Sequence, residues 1–378
     1  MKDKKILMIV SNLKKGGGAE DYSRVLAKSL KDLGYDIDLL TFYNFESEYD
    51  IGNIKRLSFG DIYSDNLLVK FYRFIIRYPK KIKKILDESN YNIIISNAED
   101  VNLVTLNTKK YYSIDEKLIN VVHNYLGNHP VYKHTLHHHK HSDQIITVSK
   151  YLGEIFTQKL PNTKIKSIYN PFDIDYINNQ KLEQIDDDEK YLFENNTNLI
   201  TVGRLSEQKN YFFLIDSLGD VLKKRENLQW LILGNGPLEK EIKNYIKQKG
   251  LQDKIKLLGV KSNPFKYIYN SDIFVFGSKN EGFGRVLAES LICGTKTISV
   301  NCPSGPSEIL DNSIYSPDLV NGYQICKYGV LVEQGNKKAF KESVEYLLDN
   351  DIIFDVDEQI HKFSKEKIAQ EWDYLLSN

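Results

Sequence analysis

The sequence predicts an α/β protein of two domains, each built on a doubly wound parallel sheet. Three observations lead to this prediction. The 378 residues exceed what one hydrophobic core usually organises. Apolar runs of strand length recur along the whole chain, with room for a helix between successive runs. Because these runs are apolar nearly throughout, they indicate parallel strands covered by helices on both faces.

Five such runs lie in the first half of the chain. KILMIV (5–10) is followed by a glycine cluster and by an amphipathic segment that predicts a helix from Ala19 to Leu33. The other predicted strands are DIDLLTF (36–42), NIIIS (92–96), KLINVVH (117–123) and DQIITVS (143–149). Residues 172–197 are polar and acidic, which predicts a linker after a first domain at 1–171.

The second half repeats the alternation in a domain predicted at 198–357. Its predicted strands are NLITVG (198–203), LQWLILG (228–234), KIKLLG (254–259), DIFVFGS (272–278) and TKTISV (295–300). Residues 358–378 contain an amphipathic helix. Its apolar side chains on or near one face are Phe363, Ile368, Trp372, Leu375 and Leu376.

Composition excludes several classes of protein. A hydrophobic share of 41% and a charged share of 27% are typical of a globular chain. No apolar run approaches the ~20 residues that span a bilayer, and no signal-peptide pattern is present, so a cytoplasmic location is expected. The three cysteines, Cys293, Cys302 and Cys326, form no CxxC pair and are expected to be reduced thiols.

The formal net charge is zero, but the charge is unevenly distributed. Up to Pro171 there are 26 Lys+Arg against 19 Asp+Glu, a net +7, and the remainder carries 25 against 32, a net −7. A basic first half indicates contact with something anionic. Nucleic acid is not the expected partner, because the whole chain is neutral and contains no recognition motif.

Gly16–Gly18 lie between the first predicted strand and the first predicted helix. Glycines there let backbone amides approach a phosphate, and the helix start attracts an anion. The dinucleotide fingerprint GxGxxG is absent, and Asp36 and Asp38 precede the second apolar run, whereas a ribose-binding acid should follow it. An NAD-dependent enzyme is therefore disfavoured, and a flexible connecting loop is the alternative for the cluster.

Two stretches of the second half place charged residues just beyond predicted strands. In VGRLSEQKN, Arg204 follows a strand and Lys209 lies five residues later, a pair of cations that suits a diphosphate. Two solvated surface cations are the alternative. In SKNEGFGRVLAES, Glu281 precedes a glycine turn and Glu289 lies on the following helix. These carboxylates can hydrogen-bond sugar or ribose hydroxyls, while the helix start can bind phosphate.

GRLxxxKN followed by EGFGxxxxE, with a glycine-rich first loop, resembles the retaining family-four glycosyltransferases of the GT-B fold. The resemblance covers essentially the whole chain, and the E-x₇-E spacing from Glu281 to Glu289 is its most specific element. VNCPSGPSEIL, with a predicted helix start at Gly305, resembles members that build bacterial surface polysaccharides.

This resemblance implies two Rossmann-like domains that face each other across a cleft. It also implies that the C-terminal helix packs back on the N-terminal, acceptor-binding domain. The expected reaction is transfer of a sugar, with retention, from a nucleotide donor to a saccharide or lipid-linked acceptor. The donor is expected to be a UDP-sugar, and the pathway to be capsule, lipopolysaccharide or glycolipid synthesis.

Roles for individual residues follow from the same resemblance. Arg204 and Lys209 would neutralise the donor diphosphate, and Glu281 would contact the donor sugar. His123 would face that sugar from the other domain, although a satisfied histidine at a strand end is the alternative. The remaining expected donor-binding positions are Gly17, Gly18, Gly203, Gly282, Phe283, Gly284, Val260 and, at the ribose, Glu289.

No metal ion or other cofactor is expected. No DxD motif lies between a strand and the donor site, and Asp186–Asp188 is interpreted as a solvated charge run in the linker. The histidines between His129 and His141 include helical i,i+4 pairs that could bind zinc, but no HExxH motif or cysteine accompanies them. Two other functions stay open: a non-catalytic GT-B partner subunit, and a UDP-sugar epimerase on the same fold.

Residues 67–84 interleave lysines and arginines with apolar side chains. This pattern predicts a basic amphipathic helix, which Pro79 is expected to break or kink. Its cations could contact an anionic membrane that presents a lipid-linked acceptor. A core-packed helix with an exposed lysine-rich face is the alternative.

Overall fold

The computed structural model describes residues 2–124, 136 and 138–378. The chain divides into two compact units, Met1–Phe172 with Phe363–Asn378, and Asp173–Lys362. In the described residues each unit contains one seven-stranded sheet. Both sheets are doubly wound and dominated by parallel pairs, as the sequence predicts.

All strand pairs of the first sheet are parallel, in the order β3-β2-β1-β4-β5-β6-β7. Its strands are β1 Lys5–Val10, β2 Asp36–Tyr43, β3 Lys55–Asp61, β4 Ile93–Asn97, β5 Lys117–Val122, β6 Gln144–Thr147 and β7 Ile165–Ser167. Its α-helices are Gly18–Asp32, Leu67–Tyr72, Tyr78–Asp87, Glu99–Tyr112, Lys150–Lys159 and Lys365–Ser377. A 3-10 turn covers His139–His141.

Pro79 does not break the helical run that begins at Leu67. A π-helical turn, Arg73–Arg77, joins the helix Leu67–Tyr72 to the helix Tyr78–Asp87. The Tyr78 amide donates to the carbonyl of Arg73, five residues earlier. Proline has no amide hydrogen to donate, and at the start of the following helix it leaves no intrahelical donor missing.

The C-terminal helix Lys365–Ser377 belongs to the first unit. Ser364 caps its start by accepting a hydrogen bond from the Lys367 amide at 3.2 Å. The Tyr35 hydroxyl donates to Asp373 at 2.8 Å. The five apolar side chains of the sequence pattern are all buried, namely Phe363, Ile368, Trp372, Leu375 and Leu376.

The second sheet has the order β10-β9-β8-β11-β12-β14-β13, and only the pair β13–β14 is antiparallel among the described strands. Its strands are β8 Thr197–Val202, β9 Leu228–Leu233, β10 Ile255–Gly259, β11 Ile273–Phe276, β12 Lys296–Val300, β13 Tyr323–Ile325 and β14 Val330–Val332. Its α-helices are Ile174–Lys181, Tyr211–Lys224, Glu239–Gln248, Phe265–Tyr269, Arg285–Cys293, Gly305–Leu310, Lys337–Asp349 and Asp357–Lys362. Short 3-10 turns cover Lys190–Leu192, Glu207–Lys209 and Pro317–Leu319.

The segment expected as a linker, 172–197, lies almost entirely in the second unit, which begins at Asp173. The acidic run within it is not simply solvated. Asp186 accepts a hydrogen bond from the buried Lys266 ammonium at 2.7 Å, and this ion pair lowers the pKa of Asp186. Nearby, Glu189 pairs with Lys261 at 2.5 Å. These contacts tie the segment to the loop and helix after β10.

The strand order reverses between β1 and β4 in the first sheet and between β8 and β11 in the second. In doubly wound sheets, ligands bind beyond the carboxyl ends of the strands at such a reversal. Apart from Glu289, which lies on the helix Arg285–Cys293, the sequence-predicted residues lie in the segments that directly follow β1, β5, β8, β10 and β11, at the carboxyl edges of the sheets. No helix in the described part of the chain is both long and apolar enough to cross a membrane.

Candidate active site

An ion pair joins the two loops at the reversal point of the second sheet. Lys209, in the 3-10 turn after β8, places its Nζ 2.7 Å from Oε1 of Glu281, which follows β11. The same ammonium lies 4.7 Å from the centre of the Phe276 ring. The side chains are 16% and 9% exposed, so the pair is shielded from water but still accessible. The structure thus brings together two residues that are 72 positions apart.

Arg204 lies in the same loop as Lys209, just beyond β8, and its side chain is exposed. Among the described residues its guanidinium forms no hydrogen bond or ion pair. Its five donors are therefore available to a ligand. The neighbouring Gly203 carbonyl accepts from the Tyr211 hydroxyl at 3.1 Å, which fixes the backbone from which Arg204 projects.

Gly282, Phe283 and Gly284 form the turn that starts the helix Arg285–Cys293. Gly284 takes a φ of +90°, a left-handed conformation that glycine adopts without a steric cost. The N-cap residue of this helix is Gly284, which has no side chain that could cap the helix start. Its first amides carry the partial positive charge that attracts phosphate. Glu289 lies on the same helix, with an oxygen 3.8 Å from Nη2 of Arg285.

The Cys302–Gly305 loop packs against the Gly282–Gly284 turn. A Cβ added to Gly305 would lie 1.6 Å from the Phe283 carbonyl oxygen, so only glycine fits there. Ser304 is buried and donates a hydrogen bond to the Gly282 carbonyl, and the Glu281 amide donates to Pro303 at 3.2 Å. These contacts set the position of the turn, and Ser304 was not singled out by the sequence analysis.

Ser304 has φ +86° and ψ −135°, a conformation that residues with a Cβ rarely adopt. The neighbouring Cys302 thiol is fully buried, and burial raises its pKa. The other two cysteines, Cys293 and Cys326, are also buried free thiols. The three thiols are therefore inert packing groups rather than nucleophiles.

A second glycine contact joins the loops after β8 and β9. Gly234 has φ +133°, and a Cβ there would lie 2.1 Å from the Gly203 carbonyl oxygen. A Cβ on Gly236 would similarly meet the Leu205 carbonyl at 2.4 Å. The sequence analysis included Gly203 but missed Gly234 and Gly236. A GxG pair directly after an apolar strand was the available signal.

In the first unit, Gly17 and Gly18 lie at the start of the helix Gly18–Asp32. The carboxylate of Glu20 folds back over this start, and a Cβ on Gly17 would meet its Oε2 at 2.0 Å. Asn12 donates to Glu20 Oε1 at 3.1 Å. Burial raises the pKa of Glu20. The site expected to hold a phosphate thus contains an anionic side chain of the protein itself.

His123 follows β5, and its ring Nε2 is hydrogen-bonded to Oδ1 of Asn97. The Asn97 amide nitrogen donates to the Ala19 carbonyl at 3.1 Å, so its oxygen is the acceptor and Nε2 carries a proton. The Tyr22 ring packs edge-on at 4.7 Å. The His123 backbone amide donates to Glu99 at 3.1 Å. The imidazole is therefore held in a fixed orientation.

Glu99 and Asp100 begin the helix that follows β4, and the sequence analysis missed both. Burial raises the pKa of each carboxyl group. Glu99 also accepts from the Asn124 amide at 3.1 Å. An acidic pair shortly after an apolar strand was the signal that could have identified them.

Val260 follows β10 and is 65% exposed, so it is accessible to a ligand.

Of the histidine cluster, His129, His134 and His137 lie outside the described residues. His139 is buried, and burial lowers its pKa to about 4. In the described part of the chain no group of His, Cys, Asp and Glu is arranged to hold a metal ion.

A helix start, a shielded Lys–Glu pair and an arginine with available donors thus lie at the reversal point of a doubly wound sheet. Comparison with known proteins identifies the class of enzyme. Residues 183–368 match the family Glycosyl transferases group 1, and residues 16–176 match Glycosyltransferase Family 4. The chain belongs to these glycosyltransferases and is an enzyme of that class.

Relatives extend over nearly the whole chain. A Methanocaldococcus jannaschii protein described as an uncharacterised glycosyltransferase is 29% identical, covering 90% of this chain and 92% of its own. The amylovoran biosynthesis glycosyltransferase AmsD of Erwinia amylovora is 24% identical over 83% and 86% of the two chains. The relatives include proteins of bacterial polysaccharide biosynthesis.

The fold is also that of solved glycosyltransferases. Anabaena HepE, solved in complex with UDP and glucose, superposes with a TM-score of 0.74 at 19% identity, covering 99% of both chains. The lipopolysaccharide outer core galactosyltransferase WaaB superposes with a TM-score of 0.72 at 18% identity, again covering 99% of both chains. The predicted GT-B fold class is confirmed.

Proposed function

We propose that this enzyme transfers a sugar, with retention, from a UDP-sugar to a saccharide or lipid-linked saccharide in cell-surface polysaccharide or glycolipid synthesis. Donor and stereochemistry are inferred from the site and the family resemblance together. A lipid-linked acceptor requires the enzyme to reach a membrane surface, and residues 67–84 are the segment proposed for that contact.

The observation that carries the proposal is the convergence of Arg204, Lys209 and the Gly284 helix start on one edge of the sheet. Negative charge grows on the departing diphosphate in the transition state of glycosyl transfer. Fixed cations and amides stabilise that charge without reorganising during the reaction. Lys209 and Arg204 would bind the diphosphate, and the helix start would bind its oxygens. With these positive groups in place, no metal ion is required.

Glu281 is assigned to the donor sugar and Glu289 to the ribose. The carboxylate of Glu281 is held by Lys209, which fixes its orientation. A carboxylate in a fixed position can accept from sugar hydroxyls and so discriminate between epimers. We propose front-face attack by the acceptor hydroxyl, whose proton passes to the departing phosphate. The family resemblance also assigns His123 to the donor sugar.

The relatives support this choice of donor and acceptor. HepE was solved with UDP and glucose. A Campylobacter jejuni relative, 30% identical over 56% of this chain and 54% of its own, is named as an N-acetylgalactosaminyltransferase acting on a diphospho-undecaprenol-linked sugar. Those names describe the relatives, and the same donor and acceptor classes are proposed here.

A thermal-shift titration with UDP, GDP, ADP and a panel of UDP-sugars tests the donor. Ligand at ~100 Kd adds about 2.7 kcal/mol to folded stability, which corresponds to several degrees for a unit of this size. Arg204→Ala and Lys209→Ala should each remove most of the UDP shift and lower UDP release with acceptor at least about 100-fold. Lys243→Ala, which breaks an exposed pair with Glu239, is the matched control.

The outcomes are distinguishable. A thermal shift with UDP but not with GDP or ADP supports the donor assignment if both site variants lose it and the control variant keeps it. No shift with any nucleotide would reject it and favour a non-catalytic partner subunit. An inverted anomeric configuration at the new glycosidic bond, detected by NMR of the product, would reject retention. Loss of activity in EDTA would reject the metal-independent reaction.

A further inference from the structure

An acidic segment of the second unit, residues 183–189, contacts the loop and the helix that directly follow β10. Three carboxylates of this segment accept hydrogen bonds from side chains within residues 261–267. We call these three carboxylates the acidic clamp, and they belong to Glu183, Asp186 and Glu189. Their partners, at 2.9, 2.7 and 2.5 Å, are in the same order Asn263, Lys266 and Lys261. A solvated charge run would leave its carboxylates in water, whereas all three of these are held by the protein.

Glu189 is the most shielded member of the acidic clamp. Its side chain is 15% exposed, compared with 57% for Asp186. One carboxylate oxygen binds the Lys261 ammonium, and the other accepts from the hydroxyl of the fully buried Tyr267. Burial and the nearby Glu189 carboxylate raise the pKa of Tyr267, so its hydroxyl keeps the proton that it donates. Loss of the Glu189 charge would therefore release two groups of the loop and helix after β10.

The segment that carries the acidic clamp is anchored on both sides. Shortly after the clamp, the Leu192 carbonyl accepts from the side chains of Asn198 in β8, at 3.1 Å, and Gln229 in β9, at 2.5 Å. Before the clamp, the Lys181 ammonium donates to the Ile292 carbonyl at 2.9 Å. The segment is thus fixed to the same sheet that carries the candidate site. It can therefore hold the loop after β10 in one position.

The loop held by the acidic clamp lies on the same sheet edge as Arg204. Val260, which directly precedes Lys261, is exposed. The Gly259 carbonyl accepts from the Gly234 amide at 2.7 Å, and the Gly234 loop in turn touches the loop that carries Arg204. Val260 and Arg204 are therefore two strand spacings apart, on the order of 10 Å. A nucleoside diphosphate whose phosphates bind at Arg204 is long enough to bring its nucleoside to Val260.

We infer that the acidic clamp positions the loop at Val260 for the nucleoside of the donor, with Glu189 as the central positioning residue. The inference rests on the proposed function, because it requires a nucleotide donor whose diphosphate binds at Arg204. A loop that is already fixed loses little conformational freedom when the nucleoside binds, which favours affinity. The clamp also neutralises the Lys261 ammonium. Without Glu189, that ammonium would be free to attract the diphosphate to the nucleoside end of the site.

Isothermal titration calorimetry of the full chain with UDP and with pyrophosphate tests this assignment. Glu189→Gln should weaken UDP binding about tenfold, because the loop at Val260 is no longer held, and leave pyrophosphate binding unchanged. Arg204→Ala should weaken the binding of both ligands. In steady-state kinetics, Glu189→Gln should raise the donor KM about tenfold and keep kcat within about twofold, because nucleoside contacts are the same in the ground and transition states.

Two further variants separate positioning from other effects. Asp187→Asn is the matched control, since Asp187 lies in the same acidic run but is 93% exposed and pairs with the exposed Lys190 at 2.6 Å. Lys261→Met removes the same ion pair from the other side and should weaken UDP binding as Glu189→Gln does. The double variant of Glu189 and Lys261 should bind UDP no more weakly than either single variant. Melting curves without ligand show whether each variant is folded.

Three results would overturn the positioning role. These are wild-type UDP affinity in Glu189→Gln, an equal loss of UDP and pyrophosphate binding in that variant, and additive losses in the double variant, which would show that Lys261 contacts the donor itself. If the wild type binds GDP or ADP in place of UDP, the proposed UDP donor is rejected. A selective loss of that other nucleotide in Glu189→Gln would still support the acidic clamp. If the wild type binds no nucleotide, both proposals fail.

Discussion

Ser304 offers a test of whether backbone strain positions the donor turn. Its φ of +86° with ψ −135° costs about 1–3 kcal/mol in a residue that has a Cβ. Ser304→Gly relieves this strain. It also makes the unfolded chain more flexible, which lowers the free energy of unfolding by about 0.5–1 kcal/mol. Ser304→Ala keeps the strain. Both variants lose the hydrogen bond to the Gly282 carbonyl, so that loss cancels when they are compared.

We therefore expect the glycine variant to be more stable than the alanine variant by about 1 kcal/mol. In a helix the order is the reverse, because alanine is favoured over glycine by about 0.5–1 kcal/mol. Both variants should bind UDP more weakly than the wild type, because the turn that starts the Arg285–Cys293 helix is less fixed. Urea unfolding followed by fluorescence measures the stability difference, and a UDP titration measures affinity.

Ser307 provides the matched control. It lies three residues later in the helix Gly305–Leu310 and is buried, and its hydroxyl has no hydrogen-bond partner among the described residues. Ser307→Ala should be more stable than Ser307→Gly, the normal order. If Ser304→Ala proved as stable as Ser304→Gly, or more stable, strain at this position would be refuted as the cause.

Three further predictions concern stability. Lys209→Ala leaves the Glu281 carboxylate shielded and unpaired, so it should lower the free energy of unfolding by about 1–3 kcal/mol. The double variant Lys209→Ala with Glu281→Gln should recover part of that loss, and urea unfolding measures both. Gly305→Ala places a Cβ against a backbone carbonyl and should cost about 3 kcal/mol or more, so a melting temperature equal to wild type would contradict the packing described. His139 stays neutral in the folded protein down to its pKa of about 4, but titrates near 6.5 when unfolded. Stability should therefore fall by about 3 kcal/mol as the pH drops from 6.5 to 4, and His139→Phe should flatten this dependence in pH-resolved melting curves.

The sequence predicted the longer apolar strands, including the edge strand β10, and missed β3 and the three-residue strands β7, β13 and β14. β1 lies at the predicted residues, Lys5–Val10, because it is apolar and buried from Ile6 to Val10 and is paired on both sides. The edge strand β3, Lys55–Asp61, was not predicted, since half of its pairing and one of its faces are open and few of its residues are apolar. The antiparallel strand β13, Tyr323–Ile325, is short, and two of its residues are exposed, so it gives no periodic signal.

For the candidate site, residue types and spacing were sufficient to identify Lys209 and Glu281, which the fold brings within hydrogen-bonding distance. They could not reveal backbone conformation at Ser304 or the contact at Gly234, because both depend on which loops meet in space. Nor could they show that Glu20 covers the helix start at Gly17, since that depends on a side-chain rotamer. Sequence thus identified the charged groups, and the structure identified what orients them.

The π-helical turn at Arg73–Arg77 determines the phase of the helix on either side of it. In an uninterrupted α-helix, Leu67 and Phe71 would lie on the same side as Tyr78 and Ile82, which are buried. The wider turn accommodates one additional residue, which rotates the earlier part by about 100° relative to the later part. Apolar side chains that an unbroken helix would direct to the core are thereby turned outward. Deleting one residue within this turn should therefore leave the exposed apolar surface in place, because an unbroken helix that is one residue shorter gives its two parts the same relative rotation.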